Sequence, residues 1–358
     1  MVAEMKVTVY RQDVVLERPV RASAQEHHRR SRLFLRLEHE GVVGYGEVAP
    51  QPEALNGDPG FDEVLDASRL AIVRLAGVVV RERSLPSWSR VARMGSLTPA
   101  SNVASALIEM AVLDRELRVA SSRVDDIWPP RFETPRQATF SLLDDDTEWL
   151  VDDDVARVRV KVAPGPLSER AIDRLALLLV PVVVDYNCSA TDDDEVLRQV
   201  AQIHDVATIS AVEQPYAVGN LADHARLALK LGVPLSLDEG VRSLRDLKQI
   251  ADYGAGQMIC VKPARVGGLA NARAMFARAD ELGLSAYLGG FFESPFARRV
   301  HSSLANSCVR EPSDLDDVAL SESAISEVDE VANGFGVEPS SAMLEHARRL
   351  TVEPENES

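Results

Sequence analysis

Short apolar runs alternate with polar segments through the middle of the chain, and each run leads to a charged residue. The runs VARVRVK, PVVVDYN, TISAVEQP, VPLSLDE and GQMICVK lead to Lys161, Asp185, Glu213, Asp238 and Lys262. These charges recur every 24 to 28 residues, close to the length of one buried strand, one helix and two short loops. The spacing predicts a parallel barrel, whose strands all end at one mouth. We therefore expect the charged side chains to converge on one site.

The pattern before residue 137 is different and predicts an α+β domain. Strands without a helix between them indicate an antiparallel sheet. The predicted elements are strands at 3–10, 31–37 and 42–48, irregular connections at 12–30 and 50–60, and helices at Phe61–Ala76 and after the cap Thr98. Connections as long as 12–30 are often functional or mobile.

Strand and helix alternate from Gln137 onward. The segment QATFSLL is the first predicted barrel strand, a short acidic helix follows near 147–153, and LSAYLGG is the seventh strand. Repeated strand and helix imply parallel strands with right-handed crossovers. Eight strands close such a barrel, and DDVAL at 316–320 is one more predicted strand. The predicted boundaries are 1–118 for the first domain, 119–136 for a linker, 137–320 for the barrel and 321–358 for a C-terminal segment.

Composition restricts the partners and the compartment. The net charge of −17 disfavours nucleic acid and anionic membranes, because binding them needs clustered Lys and Arg. Three widely spaced cysteines without a CxxC pattern favour a reducing cytoplasm. No early segment resembles a signal peptide, and no apolar run is long enough to cross a membrane. We expect a cytoplasmic protein whose partner is a small molecule, and a homo-oligomer stays open.

Three of the convergent residues are acids. Carboxylates at Asp185, Glu213 and Asp238 would repel one another strongly unless a cation lay between them. Ligation by oxygen alone favours Mg²⁺, with Mn²⁺ as the alternative, over zinc. Each acid taken singly could instead cap a helix or pair with an arginine. Asn187 alternates to the same face as Asp185, and we expect it to hydrogen-bond near the metal.

The other two convergent residues are lysines, on strands that lie roughly opposite one another in a barrel. A lysine beside a divalent metal and another cation can have its pKa lowered toward the working pH, so Lys161 and Lys262 could act as bases. They could remove and return a proton next to a carboxylate while the metal stabilises the enediolate. A single lysine at a strand end is more often a salt-bridge partner.

The ordered set GYGEVAP, RVRVK, VVVDYN, AVEQP, LSLDEG and VKPARVGG resembles the enolase superfamily in its muconate lactonizing enzyme subgroup. The resemblance covers nearly the whole chain. It implies a modified TIM barrel, (β/α)7β, with an N-terminal α+β capping domain to which the C-terminal segment returns. It also implies that the capping domain closes the mouth and supplies substrate specificity. In this family Asp185, Glu213 and Asp238 would bind Mg²⁺, and Lys161 and Lys262 would transfer protons.

Two positions bear on the substrate. Arg159 stands where the subgroup usually has lysine, and it keeps a positive charge toward the substrate carboxylate but cannot titrate. In LGGFFESP, Glu293 resembles a seventh-strand acid of cycloisomerases and racemases, with a helix cap as the alternative, and Gly290 is expected to bind substrate with it. Gly267 and Gly268, before a helix, could bind an anion on backbone amides.

The resemblance implies a lyase of the o-succinylbenzoate synthase type, in menaquinone biosynthesis, that removes an α-proton and eliminates water. Alternatives in the same site are an N-succinylamino acid racemase or dipeptide epimerase, and then a cycloisomerase. A barrel that binds metal and ligand without catalysis is the alternative from another class, because of Arg159.

Overall fold

The computed structural model describes residues 5–22, 25–94, 98–143, 149, 151–315 and 326–351. In chain order the strands are β1 (Met5–Ala22), β2 (Gln25–His39), β3 (Val42–Val48), β4 (Arg136–Ser141), β5 (Val155–Lys161), β6 (Val182–Asp185), β7 (Ile209–Glu213), β8 (Leu235–Leu237), β9 (Met258–Val261), β10 (Ser285–Leu288), β11 (Val328–Glu330), β12 (Val337–Pro339) and β13 (Arg348–Leu350). The helices are α1 (Phe61–Glu82), α2 (Trp88–Met94), α3 (Pro99–Val119), α4 (Val124–Ile127), α5 (Glu169–Ala176), α6 (Asp193–His204), α7 (Leu221–Ala228), α8 (Leu244–Tyr253), α9 (Pro263–Val266), α10 (Leu269–Glu281), α11 (Pro295–Cys308) and α12 (Ser341–His346).

The N-terminal domain is an antiparallel sheet in the order β13-β1-β2-β3. The first two strands form one long hairpin, with pairs from Met5↔His39 to Val15↔Arg29 and, after a register shift, again to Ala22↔Gln25. The prediction of an irregular connection at 12–30 is therefore wrong. Valines in this stretch favour a strand despite its polar neighbours, and Pro19 lies in the register shift, where the ladder needs no N–H from it.

Two long helices pack on this sheet, as the pattern predicts. The cap of α3 is Thr98, whose hydroxyl accepts the backbone N–H of Ser101 at 3.2 Å. The glycines of GYGEV let α3 approach β3 closely, because a Cβ at Gly46 would lie 2.1 Å from the carbonyl oxygen of Leu107. Helix α1 ends at Glu82 and so is longer than predicted. The short helices α2 and α4 fall in segments for which the sequence predicts no helix.

The second domain is a curled parallel sheet of seven strands in the order β10-β9-β8-β7-β6-β5-β4. This confirms the predicted modified TIM barrel. The segment at Ser313 and Asp314 joins the two edges of the sheet: Asp314 N–H donates to the carbonyl of Leu288, and Gln137 N–H donates to the carbonyl of Ser313. The strand predicted at 316–320 lies outside the described residues. So do residues 147, 148 and 150 of the acidic helix predicted near 147–153, and the described part of that segment, 149 and 151–153, is not helical.

The barrel strands are buried on both faces, and Val182, Val183 and Val184 are completely inaccessible to solvent. Such runs are typical of a parallel sheet covered by helices. The C-terminal strand β13 pairs with β1, with Val9 opposite Leu350, so the end of the described chain joins the first sheet. Among the described helices, none is long and apolar enough to cross a membrane.

A carboxyl group of the capping domain caps the N-terminus of the barrel helix α10. Glu109, on α3, accepts the backbone N–H groups of Leu269 at 2.5 Å and Ala270 at 2.9 Å, the first residues of α10. Gly268 has φ +126°, and a Cβ there would lie 1.8 Å from the Glu109 carboxylate. Burial raises the pKa of Glu109 to about 8. The acceptor that these amides bind is therefore a side chain of the same chain.

Candidate active site

The five predicted charged side chains lie at the carboxyl ends of consecutive strands β5 to β9. Lys161, Asp185 and Glu213 are the last residues of β5, β6 and β7, and their Cα atoms are in register across the sheet. Asp238 and Lys262 directly follow β8 and β9. All three acids are buried, and so is Lys262. The strand register thus places these residues along one rim of the barrel.

The acids form a crowded group. Glu213 and Asp238 have carboxylate oxygens within 4.8 Å of one another and of the thiol of Cys260. Asp185 lies beside Glu213 on the neighbouring strand, but its carboxylate accepts bonds from the Lys161 amine at 3.0 Å and from its own loop at the Asn187 N–H, 2.9 Å. The structure therefore brings two of the predicted metal ligands together and turns the third toward a lysine.

Electrostatic repulsion between these acids is only partly offset. Burial and the nearby charge of Asp185 raise the pKa of Glu213 to about 8. Burial and the charges of Asp238 and Asp185 raise the pKa of Glu239 to about 7. Carboxylates that resist ionisation in this way would be stabilised by a cation, and an oxygen donor set suits a hard divalent ion. Burial also raises the pKa of the Cys260 thiol, which makes it a poor ligand for such an ion.

Each lysine is hydrogen-bonded to an acid of this group. The Lys161 amine contacts Asp185 at 3.0 Å and the side-chain oxygen of Asn187 at 2.7 Å. The Lys262 amine contacts Asp238 at 2.8 Å and lies 4.8 Å from the ring centre of Phe291. Burial alone would lower the pKa of Lys262, yet the charge of Asp238 raises it above its ordinary value. The side chains around Lys262 thus raise its pKa, and the lowering expected beside a divalent metal stays a prediction.

Asp238 has the opposite shift. Burial alone would raise its pKa, but Arg265 and Lys262 hold the pKa of this carboxyl well below its usual range. The Arg265 guanidinium donates to the Asp238 carboxylate at 2.6 Å and to the Asp238 carbonyl oxygen at 2.9 Å. Asp238 is therefore ionised at neutral pH.

Arg159 has partners that the sequence did not predict. Its guanidinium lies 2.5 Å from the Asp314 carboxylate and 3.5 Å from that of Glu213. Asp314 belongs to the segment that joins the edges of the barrel. The hydroxyl of Tyr287 also donates to Glu213, at 2.5 Å. The charge of Arg159 is thus shared between a predicted metal ligand and a half-buried aspartate.

Glu293 lies in the domain interface rather than at a helix end. Its carboxylate is 3.2 Å from Arg298 and accepts the Phe291 N–H at 2.8 Å. The cap of α11 is Ser294, whose N–H and hydroxyl donate to Glu47 of the capping domain. The alternative prediction that Glu293 caps this helix is therefore wrong. Gly290 lies against Arg298, since a Cβ there would be 2.5 Å from the guanidinium. Their roles toward substrate stay predictions.

Besides Asp314 and Tyr287, four more residues that the sequence analysis did not single out join the site. Asp58 and Asn56, in the stretch predicted as irregular, reach the barrel mouth, and Arg265 and Glu239 meet them there. Arg265 lies in the motif VKPARVGG and Glu239 directly follows Asp238. Their position next to predicted site residues could have indicated that they belong to the site. No sequence signal indicated Asp58 or Asn56, because the composition of a loop does not predict its contacts.

Comparisons with known proteins agree with this geometry. Residues 146–341, more than half of the chain, match the family described as enolase C-terminal domain-like. An o-succinylbenzoate synthase of Enterococcus faecalis is 27% identical over 284 residues, which cover 76% of this chain and 75% of that relative. A chloromuconate cycloisomerase of Cupriavidus pinatubonensis is 27% identical over 293 residues, covering 77% of each chain.

A solved structure, the N-succinyl Arg/Lys racemase from Bacillus cereus, shares the fold. Its TM-score is 0.80, with 16% sequence identity, and the alignment covers 98% of this chain and 100% of that chain. The chain is therefore an enzyme that belongs to the enolase superfamily, in its muconate lactonizing enzyme subgroup.

Proposed function

We propose that the protein is a Mg²⁺-dependent lyase of the o-succinylbenzoate synthase type, acting in menaquinone biosynthesis. The observation that carries the proposal is the pair of buried or half-buried amines at the ends of β5 and β9, each bonded to an acid of the same group. A relative with that activity, at 27% identity over three quarters of the chain, supports the choice.

Asp185, Glu213 and Asp238 would hold the cation. When bound, Mg²⁺ would supply Lewis-acid stabilisation for negative charge that develops on the substrate carboxylate. Lys161 takes the proton from the carbon next to this carboxylate, and the electrons of the broken C–H bond form a carbon–carbon double bond. The bond from the neighbouring carbon to its hydroxyl group breaks, and the hydroxyl leaves as water with the proton that Lys161 took. Lys262, opposite, supplies positive charge toward the developing anion.

The second candidate is transfer of a proton from one face of a carbon to the other, as in an N-succinylamino acid racemase. The matched hydrogen bonding of the two lysines favours it, because this reaction needs an amine on both faces. The Bacillus cereus racemase, which has the same fold, is consistent with it. The two candidates use the same residues and differ in whether Lys262 accepts and returns a proton.

The test measures turnover with added Mg²⁺ on the β-hydroxy acid precursor of o-succinylbenzoate and on both enantiomers of N-succinylphenylalanine. Lys161→Ala should lower turnover at least about 10²-fold, since a general base contributes that much. Lys248→Ala is the control, because Lys248 is exposed on α8 and pairs only with Asp252 among the described residues. Unchanged activity in Lys161→Ala would refute its role.

Solvent deuterium separates the two candidates. Dehydration without deuterium in recovered N-succinylphenylalanine would support the synthase, whereas deuterium at the α-carbon of recovered substrate and of its enantiomer would support the racemase. Neither reaction in the parent enzyme would overturn both proposals.

A further inference from the structure

The irregular stretch at 50–60 of the capping domain is tied to the barrel by a buried ion pair. Asp58 accepts two hydrogen bonds from Arg265, at 2.8 Å from Nε and 2.7 Å from Nη2. Both side chains are almost completely buried, at 6% and 3% exposure. Two parallel bonds of this kind fix orientation as well as distance. We name residues 50–60 the mouth loop.

A second contact ties the same loop to the other side of the mouth. The side-chain amide of Asn56 donates to the carbonyl oxygen of Asn187 at 3.1 Å and lies 3.5 Å from the Glu239 carboxylate. The carbonyl oxygen of Asn56 accepts a bond from Arg242 at 2.8 Å. Asn56 has φ +51°, a backbone conformation that asparagine tolerates better than most residues.

Hydrogen bonds connect each of these two contacts to one of the lysines. Arg265 and the Lys262 amine bind the two oxygens of the same Asp238 carboxylate, at 2.6 Å and 2.8 Å. On the other side, Asn187 accepts the Lys161 amine at 2.7 Å. One loop of the capping domain is therefore linked to both amines. Asn56 is linked to Lys161 through Asn187. Asp58 is linked to Lys262 through Arg265 and Asp238.

We propose that Asp58 and Asn56 are positioning residues, Asp58 for Lys262 and Asn56 for Lys161, so that docking of the mouth loop sets both amines for proton transfer. Without Asp58, the buried Arg265 would lose one of its two carboxylate partners and compete with Lys262 for the other, Asp238. Without the Asn56 side chain, the carbonyl oxygen of Asn187 would lose its hydrogen bond to Asn56. The Asn187 side chain, which accepts the bond from Lys161, would then be held less firmly. The inference rests on the proposed proton abstraction at these lysines.

The first test follows hydrogen–deuterium exchange at the α-carbon of N-succinyl-L- and N-succinyl-D-phenylalanine with Mg²⁺ present. Lys262→Arg identifies the enantiomer that Lys262 serves. Asp58→Asn should slow exchange of that enantiomer at least about tenfold through kcat, because a small misplacement of a base is costly, and leave the other enantiomer within about twofold. Asp58→Glu keeps the charge and should recover part of the loss. Asn56→Gly, which suits the positive φ, should slow the opposite enantiomer.

The second test needs no substrate and no metal. Acetic anhydride labels lysine amines, and mass spectrometry reads the labelling rates of Lys262 and Lys161 separately. Asp58→Asn should speed labelling of Lys262 about threefold or more, as expected for a lost hydrogen bond, with Lys161 unchanged, and Asn56→Gly should do the reverse. The control is Asp66→Asn, which removes an exposed ion pair with Arg69 in the same domain.

The two tests separate the possible failures. No α-exchange in the parent enzyme would count against the racemase candidate alone, because the synthase need not exchange these amino acids, and the labelling rates would still decide the role of the loop. Exchange in the parent with equal slowing of both enantiomers in Asp58→Asn, or labelling of Lys262 as in Asp66→Asn, would overturn the positioning roles.

Discussion

The pair formed by Arg159 and Asp314 fixes a charge where the subgroup usually has a titrating lysine. The guanidinium is 8% exposed, and its Nε has no hydrogen-bond partner among the described residues. It depends on Asp314 and Glu213 for compensation. A buried guanidinium that loses its carboxylate is strongly destabilising, so Asp314 stabilises the arginine that stands beside a predicted metal ligand.

We expect Asp314→Ala to lower the free energy of unfolding by about 3 kcal/mol, because it removes the nearer of the two carboxylates that pair with the buried Arg159. Urea unfolding of the cation-free protein measures the change. The matched control is Asp252→Ala, which breaks an exposed pair with Lys248 and should cost less than about 1 kcal/mol. A loss no greater than that of the control would contradict the interpretation.

The sequence predicts the five convergent residues because a buried parallel strand is an apolar run whose end is marked by a charge, as at Asp185 and Lys262. It does not predict Asp314 or Asp58. Their partners are 155 and 207 residues away along the chain, and the segments that carry them have no periodicity. Pairing between such segments is decided by the packed fold, not by local pattern.

The start of α10 illustrates how one element can complete another. Gly268 has no side chain to cap the helix, and Glu109 of α3 supplies the carboxylate instead. The sequence predicted both helices, and it predicted that glycines before a helix bind an anion. It could not identify Glu109 as the acceptor for these amides, because Glu109 occupies an ordinary polar position in the pattern of α3.

Glu109→Ala should lower the free energy of unfolding by about 2 kcal/mol, as expected for a lost helix cap in a buried place. Amide hydrogen exchange at Leu269 and Ala270 should become faster, since both lose their acceptor. Glu116→Ala is the matched control on the same helix, because Glu116 accepts the Trp88 N–H within the capping domain. It should leave exchange at those two amides unchanged. Equal exchange in the two variants would refute the capping role.

The chain as a whole carries a net charge of −17, and buried acids converge at the mouth of the barrel. Without a cation the raised pKa of Glu213, about 8, lets the folded state hold a proton that the unfolded state releases above its ordinary pKa of about 4.5. The stability of the cation-free protein should therefore fall as the pH rises from about 4.5 toward 8 at this group.

We expect Mg²⁺ to raise the melting temperature more at pH 8 than at pH 6, because binding requires ionised carboxylates. Thermal unfolding at the two pH values, with Mg²⁺ or with EDTA, measures the effect. Glu213→Gln should lose most of the increment and its dependence on pH. An equal increment at both pH values in the parent protein would contradict the assignment of Glu213 as a ligand.

The Glu109 carboxylate also limits how members of this superfamily could exchange their capping domains. A chimera cut in the linker before β4 would separate α3 from α10, so the donor would have to bring an acid at the position of Glu109. A recipient barrel with a side chain at Gly268 would clash with that acid. Recombination between relatives should therefore succeed only where this glycine and this acid are inherited together.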